Sequence, residues 1–328
     1  MNAQSFEQHK LLLEHFSSIS QHEEFGTEHT VYIAEDVVYK VPIYEKERLF
    51  TEIRDNLLAE EHSIQRLAPQ LNPKLVSIKD ANDYYLGYAL QMNRISKPLL
   101  AEYLTENKNI STSINLVSLA LDKLLLLASK NIPTKIIEPA TFYVNLYFDA
   151  INYTQKIIKY KIKFSVLHEA YNNFKLLTDI IMQEPFQNCI HGDLHVFNIY
   201  ADSKDVIFVD PPVTPMYYFC TKKLLANCLS IWWDIWMLLE TAIDIQPLLA
   251  DSLKLKLFQY HSQETVNASS KFWRVLVNAF LAVGYAEIYS NDKYNDTLIS
   301  RVLTKSDDTD SLLLLSIKHF KDAIGNDL

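Results

Sequence analysis

Apolar and polar positions change period along this chain. Residues 5 to 19 place Phe6, Leu11, Leu12, Leu13 and Phe16 at helical spacing and predict a leading helix. From Gln21 to Val41 the pattern shortens to strand-like runs divided by turns. The runs are Glu23 to Phe25, Thr30 to Ala34 and Val37 to Val41, with turns at Gly26-Thr27 and Glu35-Asp36. Glu45 to Leu67 holds no Gly or Pro, is rich in Glu, Leu, Arg and Ile, and predicts a helix that Pro69 closes. Leu75 to Ile78 and Tyr84 to Met92 predict a strand pair joined by the turn Asp80 to Asp83.

After Arg94 the pattern is helical. Thr112 to Lys130 has an apolar face wide enough for a buried helix, and Ser165 to Glu184 predicts another, stopped by Pro185. Residues 221 to 243 read as an apolar helix, chiefly Leu224 to Ile243. Pro247 to Tyr260, Ser270 to Tyr289 and Thr309 to Ile324 follow as further helices. Residues 131 to 164 are harder to place. Their basic run, Lys156, Lys159, Lys161 and Lys163, fits solvent-facing lysines better than a polyanion site.

Composition narrows the classes. With 328 residues and 48% hydrophobic side chains the chain can bury a sizeable core, its length suits two lobes or two small domains, and 19 Tyr with 16 Phe argue against disorder. A net charge of -9 disfavours a nucleic-acid partner, which would call for a basic face. Cys189, Cys220 and Cys228 show no metal-ligand spacing, and their odd number fits a reducing compartment. No basic-then-apolar leader opens the chain and no run reaches the length of a membrane span, so a cytoplasmic protein without a span is expected.

The chemistry concentrates in one stretch. Cys189-Ile190 leads into His191-Gly192-Asp193-Leu194-His195, Asn198 follows five residues after Asp193, and the apolar run Val206 to Val209 ends on Asp210. An acid, an amide and a second acid in that order suit a loop that deprotonates a hydroxyl and holds magnesium on ATP phosphates. By itself a His-Gly-Asp triplet marks only a turn; joined to the other two groups it carries a mechanism. Lys40, ending Val37-Val38-Tyr39-Lys40-Val41, is placed to reach phosphates from a strand. Glu60, on one helix face with Ile64 and Leu67, is a candidate to hold that lysine, and Glu61 is the adjacent alternative.

The stretch from His191 to Asn198 resembles the aminoglycoside phosphotransferase and choline kinase family. It lacks the arginine that protein kinases carry before the aspartate, and Pro211-Pro212 stands where they carry Phe-Gly. The resemblance runs from about Glu23 to about Thr241. It implies an α+β, two-lobed protein-kinase-like fold: residues 1–93 as a lobe with a five-stranded antiparallel sheet and one main helix, and 94–328 as a large helical lobe.

ATP and Mg2+ are then the implied cofactors, with the nucleotide between the lobes. Asp193 would take the acceptor's proton, and Asn198 and Asp210 would hold the metal. Lys40, held by Glu60, would bind phosphates, with Gly26 in the nucleotide-covering turn and Met92, Asn93 and Arg94 at the adenine-binding hinge. His191 would brace the loop and His195 would pack or hydrogen-bond beneath it. Asp234, in the apolar Trp232-Trp233-Asp234 segment, would accept amide hydrogen bonds from the loop.

The implied function is transfer of the γ-phosphate to a hydroxyl of a small molecule. The alternatives are a protein kinase and a nucleotide-binding pseudokinase. A short, proline-stiffened connection, from Pro211 to about Lys223, favours the small acceptor, because a peptide platform needs a longer segment.

Overall fold

The computed structural model describes residues 3–20, 22–25, 29–42, 50–107, 109–130, 140–160, 162–181, 188–211, 229–291, 298–304 and 310–325. The chain is α+β and divides into two compact units. One comprises residues 1–97 with 207–214, the other 98–206 with 215–328.

The first unit is built on five antiparallel strands: β1 (His22–Phe25), β2 (His29–Ala34), β3 (Val37–Pro42), β4 (Lys74–Lys79) and β5 (Tyr85–Asn93), in the order β1-β2-β3-β5-β4. Alternation sends Thr30 and Tyr32 inward from β2. The leading helix α1 (Ala3–Ile19) lays Leu12 and Phe16 on Tyr32, Val41, Leu86 and Ala89 of the sheet. Phe16 stacks on Tyr32 with ring centroids 5.4 Å apart. Burying a ring of this size contributes about 1.5–3 kcal/mol. Gly87 permits the approach, since a Cβ there would stand 2.9 Å from Leu12 Cδ2.

A second helix, α2 (Phe50–Leu67), buries Leu57, Glu60, Ile64 and Leu67 at spacings of three and four, so one acid lies within its apolar stripe. Its expected start at Glu45 falls on 43–49, outside the described residues.

The second unit is helical: α3 (Leu100–Glu106), α4 (Ile110–Ala128), α5 (Ala140–Ile158), α6 (Phe164–Ile181), α7 (Ile231–Ile245), α8 (Ala250–Tyr260), α9 (Gln263–Ser269), α10 (Val275–Ser290), α11 (Leu298–Leu303) and α12 (Asp310–Ile324). Short strands β6 (Ile199–Ala201) and β7 (Val206–Phe208) form a two-stranded sheet, and β7 leads toward Asp210. Helix α7 is buried almost all round, including Trp233, Ile235, Leu238 and Leu239, which marks it as the centre of the unit. Tyr147 of α5, Phe174 of α6 and Phe272 stack in series, with centroids 4.2 and 4.9 Å apart.

Four sequence expectations change. The helix read from residue 221 begins at Ile231, because Ser230 is extended, bridges to Asn188, and accepts the Trp232 amide on its hydroxyl as an N-cap. The expected connection from Pro211 to about Lys223 falls on 212–228, outside the described residues. Residues 140–158, left unplaced, form α5; 131–139 lie outside the described residues. The helix read from Ser270 opens with a π-helical turn, Ser270–Arg274, before α10.

The fourth concerns membrane spans. Among the described residues α4 is long and apolar enough to cross a membrane by length and composition. It nevertheless carries Asp122 and Lys123, and Lys123 donates to the Val206 carbonyl and, at 3.3 Å, to Asp205.

Candidate active site

In the second unit the loop after α6 is shaped by α7. Asp234, fully buried one turn into that helix, accepts from the amides of Ile190 and His191 on Oδ2 at 2.7 and 2.9 Å, and from Gly192 on Oδ1 at 2.7 Å. Burial pushes the Asp234 carboxyl up, and His191 and the three amides pull against it. Trp233 donates its indole N–H to the Gly192 carbonyl at 2.7 Å. Gly192 takes φ 94, a backbone region open chiefly to glycine, and this kink turns Asp193 out of the buried segment. One carboxylate thus organises three consecutive amides that would otherwise be buried without acceptors.

Asp193 is partly exposed. Its amide donates to His191 Nδ1 at 3.2 Å, so His191 braces the loop from within, as the sequence reading has it. The Asp193 carbonyl accepts from Asn198 Nδ2 at 3.0 Å, and Asn198 Nδ2 also meets His195 Nε2 at 3.3 Å. Both contacts fall on the amide nitrogen, which leaves the Asn198 oxygen to accept or ligate. His195 Nε2 lies 3.5 Å from Asp193 Oδ2.

The first unit assembles a second cluster. Lys40 of β3 donates to Glu60 Oε1 at 2.5 Å and to Asp210 Oδ1 at 2.8 Å. Glu60 is the lysine's partner; Glu61 instead accepts the Leu75 amide at 2.9 Å. Burial alone would lower the Lys40 ammonium, but Asp210 and then Glu60 outweigh it and the net direction is upward. Asp210 takes φ 55, a left-handed conformation uncommon for a side-chain-bearing residue and met mainly at turns and sites.

The remaining candidates differ in what is seen of them. Gly26 lies outside the described residues. Met92 and Asn93 belong to β5, opposite Val38 and Val37, and Asn93 Nδ2 donates to the Gln70 carbonyl at 3.0 Å. The Arg94 amide donates to the Asp36 carbonyl at 2.8 Å, so that N–H is already committed. Two residues given no role in the sequence reading support the loop: Trp233, and Thr241, whose hydroxyl oxygen accepts the Val196 amide at 3.2 Å. Thr241 stands seven positions after Asp234 on the same helix face, and that polar break in an apolar run was the available signal.

No protein-family profile matches the chain, and no curated protein sequence does. Solved structures do. A choline/ethanolamine kinase family protein from Mesorhizobium loti superposes with TM-score 0.51 at 11% identity, over 96% of this chain and 100% of that one. Choline kinase LicA from Streptococcus pneumoniae gives TM-score 0.51 at 14% identity, over 97% and 99%. A thermostable mutant of aminoglycoside phosphotransferase APH(4)-Ia gives 0.51 at 11%, over 97% and 100%. At such identities the likeness speaks for the fold: this chain has the kinase-like fold shared by choline kinases and aminoglycoside phosphotransferases.

Proposed function

We propose that this protein is an ATP- and magnesium-dependent phosphotransferase that moves the γ-phosphate onto a hydroxyl of a small molecule. The observation that carries the reading is the Lys40–Glu60–Asp210 cluster, in which a buried ammonium is held between two acids drawn from positions 20 and 170 residues away. Chance pairing of solvated charges does not bury a lysine in this way.

Asp193, turned out by the Gly192 kink, accepts the proton of the acceptor hydroxyl as it becomes a nucleophile. Lys40, oriented by Glu60, neutralises phosphate oxygens. The Asn198 amide oxygen and the Asp210 carboxylate would each offer magnesium the oxygen donors it takes. Magnesium, when bound, would supply charge neutralisation on the phosphates. Asp234, Trp233 and Thr241 touch none of the reacting atoms and position the loop.

A small acceptor is favoured by the loop, which carries His-Gly-Asp without a preceding arginine, and by a fold shared with kinases named for choline and aminoglycosides. The test is a screen of amino alcohols, aminoglycosides and sugars with Mg-ATP, reading ADP release. A hydroxyl compound that raises ADP release in proportion to its own phosphorylation is the expected result. Nucleotide binding with no turnover on any acceptor would make the chain a pseudokinase.

A further inference from the structure

The basic run Lys156, Lys159, Lys161 and Lys163 has no part in phosphoryl transfer, and the structure changes how it reads. Helices α5 and α6 form an antiparallel hairpin. Tyr147 stacks on Phe174, and Phe148 meets Tyr171 with centroids 5.1 Å apart, so later residues of α5 face earlier ones of α6. Lys156, Lys159 and Lys163 therefore do not line the side of one helix. They gather at the end of the hairpin, where α5 stops at Ile158 and α6 starts at Phe164; Lys161 lies outside the described residues. Lys159, at φ 53, takes the left-handed conformation that commonly closes helices.

Two features set this end apart from ordinary solvated lysines. The first is unbalanced charge. Lys156, Lys159 and Lys163 are exposed, and among the described residues none of them pairs with a carboxylate. Asp149 and Glu169 are the nearest acids along the two helices, about 10 Å from Lys156 and about 7 Å from Phe164 at 1.5 Å per residue. Lys321 of α12 adds a fourth ammonium, 5.9 Å over the Tyr160 ring. The second feature is an aromatic ring among these cations. Phe164 is 81% exposed, its ring lying over His168 one turn on, at 6.0 Å. A phenyl ring left in water forgoes the gain of burial, and cations around it fit a surface with an apolar interior and a negative rim.

We propose that this hairpin end docks on an anionic lipid bilayer, with Lys156, Lys159 and Lys163 meeting headgroup phosphates and the Phe164 ring entering the interfacial layer. A basic patch and an inserted apolar group are two signals where either alone holds only marginally. Each lysine near such a surface adds about fivefold in affinity. The net charge of -9 does not cancel this, because charges beyond about 8 Å are screened at physiological salt. Nucleic acid is the poorer match, since its binders neutralise about six to ten phosphates and four ammonium groups fall short. The end of a helical hairpin offers a peptide neither the groove nor the sheet edge by which peptides are held. The surface stands independently of the phosphotransferase reading.

The test is co-sedimentation of the full chain with phosphatidylcholine vesicles and with vesicles that also carry phosphatidylserine. Retention on the second kind alone is expected, lost at high salt. Lys159→Glu combined with Lys163→Glu should weaken it at least tenfold. Phe164→Ser should weaken it severalfold, and neither variant should move the unfolding midpoint, since all three positions are exposed. Lys204→Glu combined with Lys254→Glu reverses two exposed lysines elsewhere by the same total charge and should leave retention intact. No retention on the anionic vesicles, or equal loss in both double variants, would overturn the proposal. So would retention indifferent to Phe164→Ser, or binding of a single-stranded oligonucleotide as tight as that of the vesicles, which would assign the lysines to another polyanion.

Discussion

Glu60 Oε1 stands 2.5 Å from the Lys40 ammonium, with the two side chains 5% and 9% exposed. An ion pair so enclosed is weak evidence of stabilisation, yet removing one partner strands the other in a poor solvent. Glu60→Ala should therefore destabilise the chain by about 3 kcal/mol, at the lower end for broken buried pairs because Asp210 still meets Lys40. Asp210→Ala should cost under about 1 kcal/mol, since that carboxylate is 49% exposed and water screens it. Urea unfolding of the two variants measures the contrast, and equal losses would mean that the pair does not anchor the lysine.

Much of this arrangement was legible in the residues. The strands of the sheet announced themselves by alternation and the helix bearing Glu60 by its lack of Gly and Pro, because local periodicity decides such elements. Spacing favoured Glu60, on the face of Ile64 and Leu67, and left Glu61 as the alternative; the contacts decide between them, with Lys40 on Glu60 and the Leu75 amide of β4 on Glu61. The start of α7 was misread for a related reason. An apolar run continues through its N-cap, and the bridge from Ser230 to Asn188 is a non-local pairing that no window of sequence contains. The contacts of Asp244 with Lys318 and His319 escaped notice because the partners lie 74 and 75 positions apart on two helices.

The loop depends on a residue that never meets substrate. Asp234→Ala would leave the amides of Ile190, His191 and Gly192 buried without acceptors, at a cost of about 1–3 kcal/mol for an orphaned polar group. Asp193→Ala, at a partly exposed position, should leave the unfolding midpoint nearly unchanged. Calorimetric scans of both variants separate the positioning acid from the reacting one; an unaltered midpoint in Asp234→Ala would deny it that role.

Acid stability should bear the mark of Asp244. Burial alone would raise its carboxyl, but His319 and Lys318 outweigh this and hold it at about 2. The unfolded chain takes up that proton near 3.9 and the folded chain near 2, so the contribution is complete above about pH 4 and lost as pH falls toward 2. The difference corresponds to roughly 2–3 kcal/mol. Wild-type unfolding midpoints should fall steeply between pH 4 and 2, and those of Asp244→Asn should fall less over the same window. Parallel pH profiles would exclude Asp244 as the cause.

If Asn198 and Asp210 hold magnesium on the nucleotide, ATP should stabilise the wild type far more with magnesium than with EDTA. A ligand at 100 times its dissociation constant adds about 2.7 kcal/mol. In Asp210→Ala the two conditions should converge, while ATP without metal still gives its small shift through Lys40. A full shift in EDTA would take Asp210 out of the metal site.

The choice between a small acceptor and a protein acceptor is not decided by the connection after Asp210, of which 212–228 lie outside the described residues. What decides it is chemistry that can be measured. A loop without arginine before Asp193 lacks the cation that pairs with a phosphorylated segment in protein kinases, so no activating self-phosphorylation is called for. The purified protein is expected to label neither itself nor generic protein substrates with radioactive phosphate, and to release ADP faster when its small hydroxyl acceptor is supplied. Asp193→Asn should lower that acceptor-dependent rate by 100-fold or more, since a general base commonly contributes factors of about 10² to 10⁴. Magnesium-dependent labelling of a protein substrate that disappears in Asp193→Asn would reverse the assignment of the acceptor and leave Asp193 as the base.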